Sequence, residues 1–484
     1  MNNKNLIPCK MCRIAPKIYI MKVIVFFLFL GVFCSFPRFH VFAAEKNQWQ
    51  LNEAANLPDW MSITGEHRTR YETINKQFRR GSTGSDQVLS LRTLVKAEFR
   101  FNKNFQINLE LQDSRAELAD VGSRMNSTIV NAAELLEANI VWKTDDLFME
   151  GSQSVFRGGR LTMDIGDRRF IARNRFRNTI QAYTGVDWDW KSKDGSEVRA
   201  IFTLPVNREP STAAELLKND ASFDKESFNQ ILWGLFYASP ELLGGIKGEV
   251  YWFGLHEKDD INLTTRNREV YTPGFRIHRP RGKGQFDYEL ESMFQFGTVR
   301  ATTATTDVTD LELFAYFHHA EAGYTFATAW SPRLYLEYDY ASGDSDPNDN
   351  SSNRFERQYG PNVPEFGPTS IYTSFVRSNI SSPGIRLQVR PNSNLFAYLS
   401  YRAFWLASNT DGWRGASQLR DTSGNSGSFL GHQLFLRTKW KAHDNIKFEG
   451  GLAYRIDGSF QKNVSDSPRQ GNSVYTYLST TFGF

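Results

Sequence analysis

Residues 87–112 run QVLSLRTLVKAEFRFNKNFQINLELQ. Taken at alternate positions, Leu89, Leu91, Thr93, Val95, Ala97, Phe99 and Phe101 fall on one face, whereas Ser90, Arg92, Lys96, Glu98 and Arg100 fall on the other. A period of two is the mark of an extended strand. After Asn102-Lys103-Asn104, residue types that favour chain reversal, Ile107, Leu109 and Leu111 are set against Asn108, Glu110 and Gln112. The stretch is predicted as a hairpin with one face suited to hydrocarbon and the other to water.

The same alternation recurs along the chain. SITGEHRTRYETI sets Glu66, Arg68, Arg70 and Glu72 against Ile63, Gly65, Thr69 and Tyr71, and QFDYELESMFQFG sets Phe286, Tyr288, Leu290 and Phe294 against Asp287, Glu289 and Glu291. Short polar turns are expected at 193–195, 391–394 and 442–445, and long connections at 207–228 and 342–370. Short turns at one end and long loops at the other are the habit of an outer-membrane barrel. A soluble sandwich also alternates, but it has no need of aromatic side chains at strand ends, where Trp188, Trp190, Trp252, Trp405, Trp440, Tyr338 and Tyr340 stand. The C-terminal NSVYTYLSTTFGF puts Phe484, Phe482, Leu478 and Val474 on one face, the pattern of a terminal strand presented to the barrel assembly machinery. The expectation is one all-β domain, a single antiparallel transmembrane β-barrel of about 18 strands over residues 62–484.

The N-terminus predicts export. Residues 1–43 are expected to be a signal peptide, with Met21 as a plausible start: Lys22 is followed by an apolar run from Val23 to Phe36 and then Val41-Phe42-Ala43 as a cleavage site. The apolar run is shorter than the roughly 20 residues a spanning helix needs. Residues 44–61 are left as an N-terminal periplasmic segment. Cys9, Cys12 and Cys34 all lie in the removed part, as do six of the 57 basic residues and none of the 53 acidic ones. The remainder is near neutral, which gives nucleic acid no electrostatic footing.

No catalytic set is legible. His67, His256, His278, His318, His319, His432 and His443 show no metal-ligand spacing, and there is no phosphate loop or nucleophile elbow. A strand hydrolase built on His432 and Ser428 is the weak alternative. No cofactor is expected. Asp344, Asp346 and Asp349 lie close enough for a calcium loop but lack the closing bidentate glutamate, so a solvated loop is favoured.

The basic residues say more. GDRRFIARNRFRNT carries Arg168, Arg169, Arg173, Arg175 and Arg177, and a lipid face cannot hold them at about 2–4 kcal/mol each near the midplane. Arg68, Arg70, Arg92, Lys96, Arg100, Arg199, Arg386, Arg390, Arg437, Lys439 and Arg455 share polar faces with acids such as Glu98, Glu110, Glu289, Asp339 and Glu449. Two readings stand at this point: a salt-bridged wall, or an anion path in which guanidinium groups hold carboxylates weakly.

GDRRFIARNRFRNTIQAYTGVDWDW, LEYDYASGDSDPND, RFERQYG, SNISSPGIRLQVRP, YRAFWLASNTDGW and GSFLGHQLFLRTKW together resemble the alginate export family of outer-membrane barrels, from about Ser62 to Phe484. The resemblance implies an 18-stranded monomeric barrel in the Gram-negative outer membrane whose arginine-lined constriction passes an acidic polysaccharide. By motif position it offers Arg168, Arg169, Arg173 and Arg175 as the basic path, with Asp339 and Asp344 nearby. The expected function is therefore an outer-membrane channel for an anionic, alginate-like saccharide. Its lumen would be lined by these arginines together with Arg68, Arg70, Arg92, Lys96, Arg100, Arg386 and Arg437, opposed by Glu98, Asp339 and Asp344. A small-solute porin and a non-conducting enzyme or scaffold are the alternatives. Expected partners are the saccharide cargo, membrane lipid, the assembly machinery at Phe484 and periplasmic export proteins.

Overall fold

The computed structural model describes residues 49–120, 122–242, 244–260, 263–415 and 417–484; the expected signal at 1–43 and the start of the 44–61 segment lie outside the described residues. The alternating stretches form β1 (Met61–Asn75), β2 (Ser85–Arg100), β3 (Phe105–Glu117), β4 (Asn131–Asp145), β5 (Gln153–Leu161), β6 (Tyr183–Lys191), β7 (Glu197–Pro205), β8 (Gln230–Ser239) and β9 (Lys247–Glu257). They continue as β10 (Glu269–Arg279), β11 (Gln285–Val299), β12 (Leu311–Thr325), β13 (Arg333–Ala341), β14 (Ile380–Asn392), β15 (Leu395–Trp405), β16 (Phe429–Lys441), β17 (Ile446–Asp457) and β18 (Ser473–Gly483). Each is antiparallel to its chain neighbours. β18 returns to β1 in a register from Glu66 opposite Gly483 to Asn75 opposite Val474, so the sheet closes on itself. Closure is what lets strands cross a bilayer, because an open edge would leave backbone N–H and C=O groups unsatisfied in hydrocarbon.

Parity decides which face meets lipid. Leu109, Leu111, Ile140, Val186, Leu235, Leu290, Leu336, Leu399 and Leu478 are exposed on the outside, while Arg68, Glu72, Arg92, Glu110, Asp187, Glu289 and Asp339 on the opposite parity are buried. Aromatic rings stack at both rims. Trp142, Phe156 and Trp188 form a run with centroids 5.2 and 6.1 Å apart at the short-turn end, and Trp405 lies 5.1 Å from Phe429 at the long-loop end. Amphipathic rings favour such interfacial positions.

The described part of the N-terminal segment docks at the short-turn end. Its one-turn helix, α1 (Leu51–Ala54), follows Trp49, whose backbone N–H donates to Asn445 Oδ1 at 3.1 Å and whose ring stacks on Phe482. The C-terminal residue completes the closure: Gly65 and Phe484 exchange backbone hydrogen bonds of 2.8 and 2.9 Å.

The interior departs from the expectation of a water-filled lumen. The connections 162–182 and 342–379 turn inward and meet, with Ile171 paired to Tyr359 and the Tyr359 N–H donating to the Phe170 carbonyl at 3.0 Å. Phe170, Phe176, Phe355, Phe366, Tyr372 and Phe375 then pack against the inward Phe253, Phe404, Phe435, Tyr475 and Tyr477 as one apolar core inside the barrel. The second connection contains a further single-turn helix, α2 (Val363–Phe366). Inward aromatics share parity with the charged residues, so alternation alone could not separate a wet lumen from a packed one.

Candidate functional site

Arg169 is the hub of the interior. Its Nη1 lies 2.5 Å from both Glu289 and Glu291 on β11 and 3.0 Å from Asp167, and its Nε donates to Glu365 Oε1 at 2.9 Å. Arg377 holds the other oxygen of Glu365 at 2.8 Å and donates to the Arg169 carbonyl at 2.9 Å. One charge network thus fastens both inward loops to the wall. Surrounded by these carboxylates, the Arg169 guanidinium is stabilised well above its ordinary range in spite of its burial.

The arginines of β1 and β2 serve the same loop from the other side. Arg68 donates to the carbonyls of Arg175 and Arg177 at 2.7 and 2.9 Å, and Arg92 donates to the Arg177 carbonyl at 3.2 Å while pairing with Glu66 at 2.6 Å. Arg70 pairs with Glu72 at 2.7 Å and caps the Phe176 carbonyl. A loop carried into a barrel loses water from its backbone, and these side chains replace the lost donors. Arg92 therefore points inward, as its parity requires, but it is buried under the loop rather than bathed in solvent. The reason is tertiary: residues 175–178 lie over it.

The other named residues divide by partner. Arg173 is held by Glu110 at 2.6 Å and Glu137 at 3.3 Å, Arg386 by Glu337 at 3.0 Å, and Arg437 by Glu449 at 2.7 Å. Asp339 is fully buried and receives Arg402 at 2.6 Å and His319 at 2.8 Å. Glu98 is shared between Lys96 at 3.0 Å and Arg100 at 2.5 Å. Asp344 accompanies Asp411, whose carboxylate accepts its backbone N–H at 3.1 Å, while Asp346 and Asp349 cap turns through the N–H groups of Asn348 and Ser351. Among the described residues no group of three or more His, Cys, Asp or Glu side chains is disposed to hold a metal ion.

Several cations near β2, β14 and β16 keep solvent access. The Arg175 side chain is 64% exposed, and it shares the single carboxylate of Asp164 with Arg168 at 3.4 and 2.9 Å. Lys439 is 49% exposed and 3.9 Å from a Glu449 already engaged by Arg437. Arg100 is half exposed, and Arg390 lies 4.6 Å above the Phe396 ring. The buried arginines of β10, β13 and β15 are matched, Arg276 with Glu249 and Glu289, Arg333 with Asp287 and Glu321, and Arg402 with Asp339 and Glu337, while the half-exposed Arg281 shares Glu321 with Arg333. Sequence reasoning missed Glu365, Arg377 and Arg402. Arg402 was legible by parity, since it shares a face with Ser400 and Tyr398; Glu365 and Arg377 stand in an Asp-, Asn- and Pro-rich segment whose composition reads as solvated loop.

A known family model, that for alginate export, matches residues 59–470. The chain belongs to the alginate export family. No curated protein matches it. Solved structures of similar fold include Pseudomonas aeruginosa OccK9 (OpdG), with TM-score 0.55 and 11% identity over 88% of this chain and 98% of that one. Acinetobacter baumannii OccAB1 gives 0.54 and 12% over 88% and 96%, and the outer membrane protein OprD from Pseudomonas aeruginosa gives 0.52 and 12% over 88% and 93%. At such identities the likeness is one of fold, an 18-stranded outer-membrane barrel. Family and fold together make this alginate export family member a channel protein of the bacterial outer membrane.

Proposed function

We propose that the channel passes an anionic saccharide of the polyuronate class, guided by the solvent-open cations on the β1–β2 and β14–β17 side of its lumen. The observation that carries this reading is the uneven pairing of charge: the solvent-open Arg168, Arg175, Arg100, Arg390 and Lys439 share carboxylates or have only an aromatic partner, whereas the buried Arg276, Arg333 and Arg402 are each matched by two carboxylates. A solvated cation attracts a carboxylate without the desolvation that would trap it, and conduction needs sites that bind and release. Arg169, Arg173, Arg386 and Arg437, each tied to protein carboxylates, hold the walls and loops in place instead. The reading gives the chain no catalytic role and no cofactor, and takes the barrel to act as a monomer that engages assembly machinery through Phe484.

The test is reversal potential in a planar bilayer under a salt gradient. Changing Arg100, Arg390 and Lys439 together to glutamate should move the preference from anions to cations, and uronate oligomers, which should block the wild-type current, should no longer block that of the variant. If selectivity is unchanged while the barrel folds, the basic strip is only a neutralised wall.

A further inference from the structure

A second basic cluster lies at the long-loop end, apart from the strip, where the connections 162–182, 206–229 and 342–379 come together. Arg208 donates to the Ile180 carbonyl at 3.4 Å and to Gln181 Oε1 at 2.8 Å, which brings it against the segment that carries Arg177. Tyr359 meets the same segment through its N–H bond to Phe170, and its ring stands edge-on to Tyr183 at 5.5 Å, so the chain that carries Arg357 and Gln358 runs beside that spot. Among the described residues the guanidinium groups of Arg177 and Arg357 make no hydrogen bond or ion pair, although Arg357 is exposed and Arg177 half-buried. The nearby acids are committed. Asp224 accepts from Asn131 Nδ2 and from the Glu209 N–H at 2.9 Å each, and Glu356 is held by Arg266 at 2.5 Å and Arg268 at 3.5 Å.

Two neutral donors independently point to a missing acceptor. Tyr183 is completely buried and its hydroxyl has no partner among the described residues, and the buried Gln358 Nε2 has none either. A buried donor without a partner forfeits the hydrogen bond it had to water, so both call for an acceptor. Burial, with Arg357 and Arg208 close by, pushes Arg177 down to about 9. Arginine does not shed its proton in proteins, so mutual repulsion here is relieved by a counter-charge rather than by neutralisation.

We propose that Arg177, Arg208 and Arg357, with Tyr183 and Gln358, form a binding site for a compact, multiply charged oxyanion of the phosphate class, which ties the three connections together. Three guanidinium groups carry more positive charge than a single carboxylate offsets, and their planar forks match the oxygens of a tetrahedral anion. The site is distinct from the conduction strip and does not depend on it.

Isothermal titration of the full barrel in detergent micelles with inorganic phosphate, at constant ionic strength, tests this. Saturable binding near one equivalent with Kd below about 1 mM is expected. Glucuronate, a monocarboxylate, should bind at least about tenfold more weakly. R357Q and R208Q should each weaken phosphate by about tenfold or more, and Y183F, which removes one donor and no charge, by several-fold. Heat-shifted electrophoretic migration confirms that each variant is a folded barrel, and R469Q on a separate exposed loop should bind phosphate as wild type does. The proposal is overturned if phosphate shows no saturable binding, if glucuronate binds as tightly, or if R357Q and Y183F both retain wild-type affinity.

Discussion

Replacing Glu365 with glutamine should release the inward loop 342–379 without unfolding the barrel. Glu365 is buried, and among the described residues its carboxylate is the only one that Arg377 contacts, whereas Arg169 keeps Glu289, Glu291 and Asp167. The substitution therefore leaves Arg377 as a buried charge without a carboxylate partner, supported by the carbonyls of Arg169 and Pro361 and by the rings of Phe317 and Phe366. Removing one partner of a buried ion pair costs about 3–5 kcal/mol. That energy belongs to the docking of the loop, because the lipid-facing band and the closed strand ladder are untouched. At about 1.4 kcal/mol per tenfold, the docked-to-free ratio falls by between about two and more than three powers of ten. Single-channel recording should show larger and more variable currents than wild type, and trypsin should gain cleavage at Arg354 and Arg357 within the loop. Identical conductance and an unchanged digestion pattern in a variant that still migrates as a folded barrel would show that the Arg169–Glu365–Arg377 network does not hold the loop.

The outer wall is tested by Leu399→Arg: Leu399 is exposed to lipid opposite Leu387, and the charge should cost about 2–4 kcal/mol in guanidinium-driven unfolding from phospholipid vesicles, more than Ser400→Arg on the inward parity. Gly65 leaves room for the terminal ring, since a Cβ there would stand 2.4 Å from Phe484 Cζ and 2.7 Å from the Leu94 carbonyl oxygen; Gly65→Val should displace Phe484 and lower the yield of heat-modifiable barrel in refolding. Burial, reinforced by Glu134, pushes the Asp224 carboxyl up to about 6. A folded state with the raised value holds its proton more tightly than the unfolded chain, so stability should fall by about 2–3 kcal/mol as pH rises from about 4 through 6 and level off above. Asp224→Asn should flatten that profile in thermal unfolding, and a slope that persists would place the titrating group elsewhere.

Strand period, the lipid-facing parity and the turns at 193–195, 391–394 and 442–445 were legible in the residues themselves, because these are local properties. A side chain two positions along a strand returns to the same face whatever the rest of the chain does, and a charge in hydrocarbon is forbidden wherever it falls. Arg68, Arg70 and Arg92 were thus assigned to the inside correctly from alternation alone. What their guanidinium groups touch is not local. Arg68 takes carbonyls more than a hundred residues away, and Arg169 takes carboxylates from β11 and from α2. Inward arginines and inward aromatics carry the same parity, so alternation could place Tyr475, Tyr477 and Arg92 on one face without saying whether water or a folded-in loop would cover them. Only the meeting of two distant connections inside the closed sheet decided that, since the free energy of placing a charge depends on which groups replace its water.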